Sequence, residues 1–162
     1  TLGRFAEAPA DQGSVIIDGS EGASVQLASC CRPIPGDEVR GYLGRGEGLV
    51  VHTCECAVGR KLFLRDSEHW IRVEWADELT RSFEVGVTLL LRNGKGVLAQ
   101  VAQAVARAEA DITHIAMGDE AALRETTEMN LIIAVRDRLH LADVLRVLRR
   151  TPAVQRVSRT RP

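Results

Sequence analysis

The sequence predicts an α+β protein in two parts, a small β-rich domain that carries the cysteines and then a ferredoxin-like βαββαβ domain. Three observations carry that reading. All four cysteines of the 162 residues fall between Cys30 and Cys56. Short β-branched runs separated by glycine-rich turns fill the chain to about position 78. Beyond it the apolar period alternates between that of a strand and that of a helix, in the order strand, helix, strand, strand, helix, strand.

In chain order, residues 1–14 mix Ala, Pro, Gly and both charges with no apolar period, and read as a linker. Val15-Ile16-Ile17 and Val25-Gln26-Leu27 read as strand, turn, strand. Val39 to Leu43 and Leu49 to His52 form a second pair, joined by Gly44-Arg45-Gly46-Glu47-Gly48. Those glycines suit a tight turn. A phosphate cradle would need a following helix and a Lys-Ser/Thr step, and the sequence has neither. Trp70 to Trp75 alternates cleanly and predicts a strand with one buried face. Asp77 to Thr80 is read as a hinge, so the first domain is expected over 15–78 and the second over 79–162.

The cysteines are the first candidate site. Thiolate sulfur and neutral imidazole are the ligands tetrahedral Zn²⁺ prefers, and one of the four histidines, His52, falls in the same segment. Neighbours on a strand point to opposite faces, so Cys30 and Cys31 share a metal only if the chain turns there. Pro33-Ile34-Pro35-Gly36 supplies a turn. From spacing alone three readings stay open: a metal site, buried structural thiols, or redox chemistry. No signal peptide or membrane-length apolar run is visible, which places the chain in a reducing cytoplasm and argues against standing disulfides.

In the second half, Phe83, Val85, Val87, Leu89 and Leu91 alternate as a strand, and Arg92 to Gly96 breaks it. Val97 to Glu109 keeps helical spacing along one face. Ile112 to Gly118 is a strand on which His114 is expected to be buried, and 119–123 a loop. Met129 to Val135, apolar on both sides, is expected to be a central strand. Leu141, Val144, Leu145 and Leu148 give a second amphipathic helix, and Val154 to Ser158 a last strand, with both helices on one face of the sheet.

Leu27-Ala28-Ser29-Cys30-Cys31-Arg32-Pro33-Ile34-Pro35-Gly36-Asp37, then Gly41-Tyr42-Leu43 and Arg45-Gly46-Glu47-Gly48-Leu49-Val50-Val51-His52, ending in Cys56, resembles the conserved-cysteine or zinc-finger region of long Rel/SpoT proteins. Those are the (p)ppGpp synthetase/hydrolases of the bacterial stringent response, and Pro-Ile-Pro-Gly-Asp is nearer the bifunctional type. The family's metal pattern, carried over, falls on Cys30, Cys31, His52 and Cys56, and implies a potential zinc site. Cys54 has no counterpart in it, and is either a spare thiol or a competitor for a coordination position. The second half resembles an ACT domain, which in that family is the last domain. Thr1 is not Met, and the chain is expected to be a piece of a longer protein.

The resemblance implies a non-catalytic regulatory fragment whose parent is a GTP pyrophosphokinase or (p)ppGpp 3'-pyrophosphohydrolase. None of the catalytic motifs is present here, and His69, His114 and His140 have no sequence-paired nucleophile or carboxylate cluster. Such a fragment sets the balance between synthesis and hydrolysis in the parent's catalytic domains through ribosome docking, ligand sensing or self-association. The alternatives are a mainly structural homodimerisation module and an amino-acid-binding ACT sensor. For a small amino acid, the resemblance points to Asn93, Gly94 and Gly96, with Asp111 and Ile112 expected beside them. For ribosomal RNA, charge adds its own argument. The whole chain is formally −1, yet from Arg136 onward eight arginines face two acids. Arg146, Arg149, Arg150 and Arg156 are the candidate RNA contacts. Complementing the dipole at a helix C-terminus is the alternative role for the first three.

Overall fold

The computed structural model describes residues 14–44, 46–118 and 124–161. All but Ser14 of the expected linker over 1–14, and the loop over 119–123, lie outside the described residues. The chain divides into two compact units, one reaching to Thr80 and the other running from Arg81 to Thr160.

The first unit holds a five-stranded mixed sheet and one helix. Its strands are β1 (Val15–Ile17), β2 (Val25–Leu27), β3 (Val39–Gly44), β4 (Gly48–Thr53) and β5 (Trp70–Trp75), with α1 (Ala57–Arg65) between β4 and β5. The order across the sheet is β1-β5-β3-β4-β2. β3 and β4 form the expected hairpin, in the register Arg40 to His52. β1 and β2 do not pair with each other. β1 runs parallel to β5 and β2 parallel to β4, so the two shortest strands close opposite edges. Ile17, Val39, Leu49, Val51 and Val73 make the core of this sheet.

Two tight turns shape the segment before β3. Arg32 donates its amide to the carbonyl of Ala28 at 2.9 Å and takes a left-handed φ of 45°, which folds Ser29-Cys30-Cys31 into one turn. Pro35 and Gly36 then form the centre of a second turn, with Gly36 at φ 99° and the Asp37 amide bonded to the Ile34 carbonyl at 3.0 Å. The Asp37 carboxylate accepts from the Ile34 amide at 2.9 Å, and its carbonyl from the Trp75 indole at 3.1 Å.

The helix α1 has no counterpart in the sequence reading. Its N-cap is Cys56, whose sulfur accepts from the Gly59 amide, instead of the usual Ser, Thr, Asp or Asn. Gly59 is its one buried residue, so no apolar stripe announces it.

The second unit is the ferredoxin-like βαββαβ arrangement. It comprises β6 (Phe83–Arg92), α2 (Val97–Arg107), β7 (Asp111–Met117), β8 (Thr126–Val135), α3 (Arg138–Arg149) and β9 (Val154–Arg159). The strand order is β7-β8-β6-β9, antiparallel throughout. Phe83, Val85, Val87, Leu89 and Leu91 face the helices together with Met129, Leu131, Ile133 and Val135, all of them buried. Val101, Ala104 and Val105 of α2 and Leu141, Val144 and Leu148 of α3 close the layer. β8 is central, but only one of its faces is buried; Asn130 is exposed and Ile132 and Ala134 partly so. β7 is an edge strand and almost wholly exposed, so His114 is a surface residue and not the buried one expected. An edge position leaves a strand without the neighbour that would cover it.

Candidate metal centre

The Ala28–Arg32 turn solves the problem of adjacent cysteines. Cys30 and Cys31 both project toward His52, near the end of β4, and Cys56, at the start of α1. One ligand atom from each of these four residues lies within 4.8 Å of the others. Cys30 Sγ is 3.6 Å from Cys56 Sγ and 3.4 Å from His52 Nδ1, and Cys31 Sγ is 4.0 Å from that nitrogen. A tetrahedral ion with Zn–S and Zn–N bonds of ordinary length spaces its ligands by about 3.5–3.8 Å. The four atoms therefore already outline a tetrahedron that a metal of zinc's size fits.

Backbone amides point at two of the sulfurs. The Thr53 amide donates to Cys31 Sγ at 3.4 Å and the Gly59 amide to Cys56 Sγ at 3.4 Å. Cys56 also stands at the N-terminus of α1, where the helix dipole favours negative charge. Burial pushes the Cys31 thiol up to about 12 and raises Cys30 too, with Cys56 contributing to the latter. These sulfurs thus lose their protons readily only when a cation takes the proton's place. Burial also lowers the pKa of His52, keeping the imidazole neutral and its lone pair available. All four cysteines are free thiols.

Packing fixes the ligands. His52 and Cys56 are 4% and 1% exposed. The His52 ring meets Trp70 of β5, and a Cβ at Gly59 would lie 3.2 Å from the His52 Cβ. Cys54 stands outside the set of four. Its amide donates to the Glu38 carbonyl, and its carbonyl accepts from the Arg60 side chain.

The residues considered for an amino acid are split by the strand register. Gly96 is the left-handed N-cap of α2 at φ 78°, and the Asn93 side chain donates to the Arg124 carbonyl beside it. Asp111 pairs with Ala134, which pairs with Glu84 at the opposite end of β6. Nine residues of strand, about 30 Å, separate that level from Asn93. A helix crossing back over the sheet starts the next parallel strand at the far end, so Asp111 and Ile112 do not lie near the 93–96 loop as expected.

The candidate RNA residues are split as well. Arg146, Arg149, Arg150 and Arg156 are exposed. The first three ride on the last turn and C-cap of α3, where Arg146 pairs with Asp143 at 2.7 Å. Arg156 is opposite Leu90, on the sheet face away from the helices. The sequence reading missed a nearer basic surface: α1 carries Arg60, Lys61 and Arg65, all exposed, and no acid. Among the described residues, no helix is long and apolar enough to cross a membrane.

The comparisons with known proteins follow the same division. Residues 15–76 match the family model of the RelA/SpoT RIS domain and residues 79–159 that of the ACT domain. The bifunctional (p)ppGpp synthase/hydrolase SpoT of Escherichia coli K12 is 32% identical over 155 residues, covering 94% of this chain and 22% of that protein. A GTP pyrophosphokinase of Streptomyces coelicolor is 32% identical, covering 97% of this chain and 18% of its own length. The bifunctional RelA of Mycobacterium tuberculosis is 31% identical, covering 92% and 20%. The chain thus spans about a fifth of the length of these curated relatives. Among solved structures, the ACT domain of a GTP pyrophosphokinase from Chlorobium tepidum aligns with a TM-score of 0.42 at 22% identity, covering 49% of this chain and 99% of that one. The matched domains are RIS and ACT, and no catalytic domain is among them.

Proposed function

We propose, from the premise that this chain belongs to the RelA/SpoT family through its RIS and ACT domains, that it is a regulatory region which docks on ribosomal RNA and thereby sets the synthesis/hydrolysis balance of its parent's catalytic domains. Zinc on Cys30, Cys31, His52 and Cys56 would hold the docking element together. The observation that carries this reading is the position of α1. Its first turn is anchored by a member of the four-residue cluster, and its surface presents three cations and no carboxylate. Such a surface suits a phosphate backbone, with an affinity that falls steeply as salt rises.

The test is co-sedimentation of the chain with ribosomes at low salt. Lys61→Glu with Arg65→Glu reverses charge on α1 while sparing Arg60, which bonds to the Cys54 carbonyl. Arg149→Glu with Arg150→Glu does the same on α3. Loss of binding in the first pair is the expected result. Unchanged co-sedimentation in both pairs overturns the RNA reading.

One observation favours a second reading, self-association. β7 is paired on one side only, and its Ile115 and Met117 are 47% and 42% exposed. An open edge with apolar side chains is a template for strand addition by a second copy. Light scattering over a dilution series, with Ile115→Lys as the disrupting variant, separates a dimer through this edge from a monomer.

A further inference from the structure

We propose that Cys30 and Cys56 are a peroxide-responsive pair whose disulfide replaces the metal as the clasp of the first unit; the proposal rests on the metal reading above. Four observations single out this pair. The two sulfurs are 3.6 Å apart. Cys30 is the partly exposed member of the cluster, while Cys31 and Cys56 are 8% and 1% exposed, so an oxidant arriving from solvent meets Cys30 first. Cys31 cannot be its natural partner, because Cα atoms of consecutive residues are about 3.8 Å apart, below the range that disulfides span. Cys54 stands outside the cluster.

The chemistry balances with peroxide as the oxidant. The Cys30 thiolate attacks one peroxide oxygen, the O–O bond breaks, and sulfur is oxidised to a sulfenic acid while hydroxide leaves. The Cys56 thiolate then attacks the Cys30 sulfur, the S–S bond forms, and a second hydroxide leaves. Two protons from solvent convert both hydroxides to water. Sulfur has lost two electrons and peroxide has gained them. A divalent metal held there would be left with only Cys31 and His52 of its four ligands.

The structural consequence is specific. The metal would tie the Ala28–Arg32 turn to the start of α1, and a Cys30–Cys56 disulfide ties the same two segments. Oxidation therefore empties the site without unfolding the unit. What changes is the constraint on Cys31 and His52, which the disulfide does not replace, and with it the setting of the basic helix.

The experiment is peroxide titration of the zinc-loaded 162-residue chain, with released zinc read by a chromogenic chelator and the cross-link located by peptide mass mapping. One zinc released per Cys30–Cys56 linkage, with circular dichroism retained, is the expected result. Cys54→Ser leaves all four ligands of the cluster in place and should behave identically. A dominant Cys54–Cys56 linkage, zinc release with only sulfinic or sulfonic acid at Cys30, or zinc retained through the titration overturns the switch alone. A chain that takes up no zinc at the outset overturns the metal reading itself.

Discussion

The imidazole of His52 and the indole of Trp70 pack with ring centroids 5.8 Å apart, at an interplanar angle of 58°. Trp70 also meets Tyr42 at 5.2 Å and Phe63 at 6.1 Å, so one side chain of β5 holds β3, β4 and α1 to each other. Trp70→Ala removes all three contacts from a residue that is 6% exposed. The expected loss is about 3–5 kcal/mol, the usual cost of deleting a large buried ring. Trp70→Phe keeps an aromatic ring at the site and should lose less than half of that. Urea unfolding followed by circular dichroism measures both, and equal losses would show that ring contact with His52 is not what matters.

Gly59→Ala sets two effects against each other. Alanine favours an exposed helix over glycine by up to about 1 kcal/mol. Here the new Cβ would lie 3.2 Å from the His52 Cβ and 3.3 Å from its ring. The ring is also packed against Trp70 and His52 is 4% exposed, so it has little free space to move into. Overpacking of this kind costs about 1–3 kcal/mol and should win. The expected outcome is a lower unfolding midpoint together with weaker zinc binding in chelator competition. A variant with raised stability and unchanged zinc affinity would mean that His52 has room to move.

The β3–β4 turn offers a comparison between two left-handed glycines. Gly46 has φ 76° and open space around its added Cβ. Gly48 has φ 72°, and its Cβ would sit 2.6 Å from the backbone oxygen of Ser24, which precedes β2. Alanine at Gly46 carries only the strain of its backbone conformation, about 1 kcal/mol. At Gly48 the backbone of β2 must also shift, and β2 is a three-residue edge strand with little to hold it. Gly48→Ala is therefore expected to destabilise by at least twice as much as Gly46→Ala in the same melt.

The second unit was legible because its signals are local. Alternation from Phe83 to Leu91 and helical spacing from Val97 and again from Leu141 all act within one element. The first unit resisted where distance decides. Nothing in Val15 to Leu27 says that these two strands part to opposite edges, since each finds a parallel partner far along the chain. α1 was hidden by a sulfur cap and by a packed face on which Gly59 alone is fully buried and Phe63 only half-buried. The four cluster residues were visible through the resemblance, but the turn that aims Cys30 and Cys31 the same way is closed by a left-handed Arg32, a conformation no residue preference predicts there. His114 and Asp111 were misplaced for one reason. An apolar strand suggested burial for His114, and a place at the head of the second strand suggested proximity for Asp111, whereas strand order and crossover direction determine both.

In the second unit, His140 joins the start of α3 to the end of α2. It is 4% exposed, its Nδ1 accepts from the Arg136 amide at 3.0 Å, and its Nε2–H donates to the Ala108 carbonyl at 2.7 Å. Both ring nitrogens are thus committed, and the tautomer is fixed with the proton on Nε2. His140→Leu keeps the bulk but leaves one part-buried donor and one part-buried acceptor without the imidazole, for an expected loss of about 1–3 kcal/mol. The His140 amide separately donates to the Asp137 carboxylate at 2.8 Å, the N-cap of the same helix. Asp137→Ala should cost about 1 kcal/mol. Because both bonds order the same first turn, the double variant should lose at least about 0.5 kcal/mol less than the two single losses combined. Strict additivity in that cycle would show that His140 stabilises the α2 end alone and takes no part in starting α3.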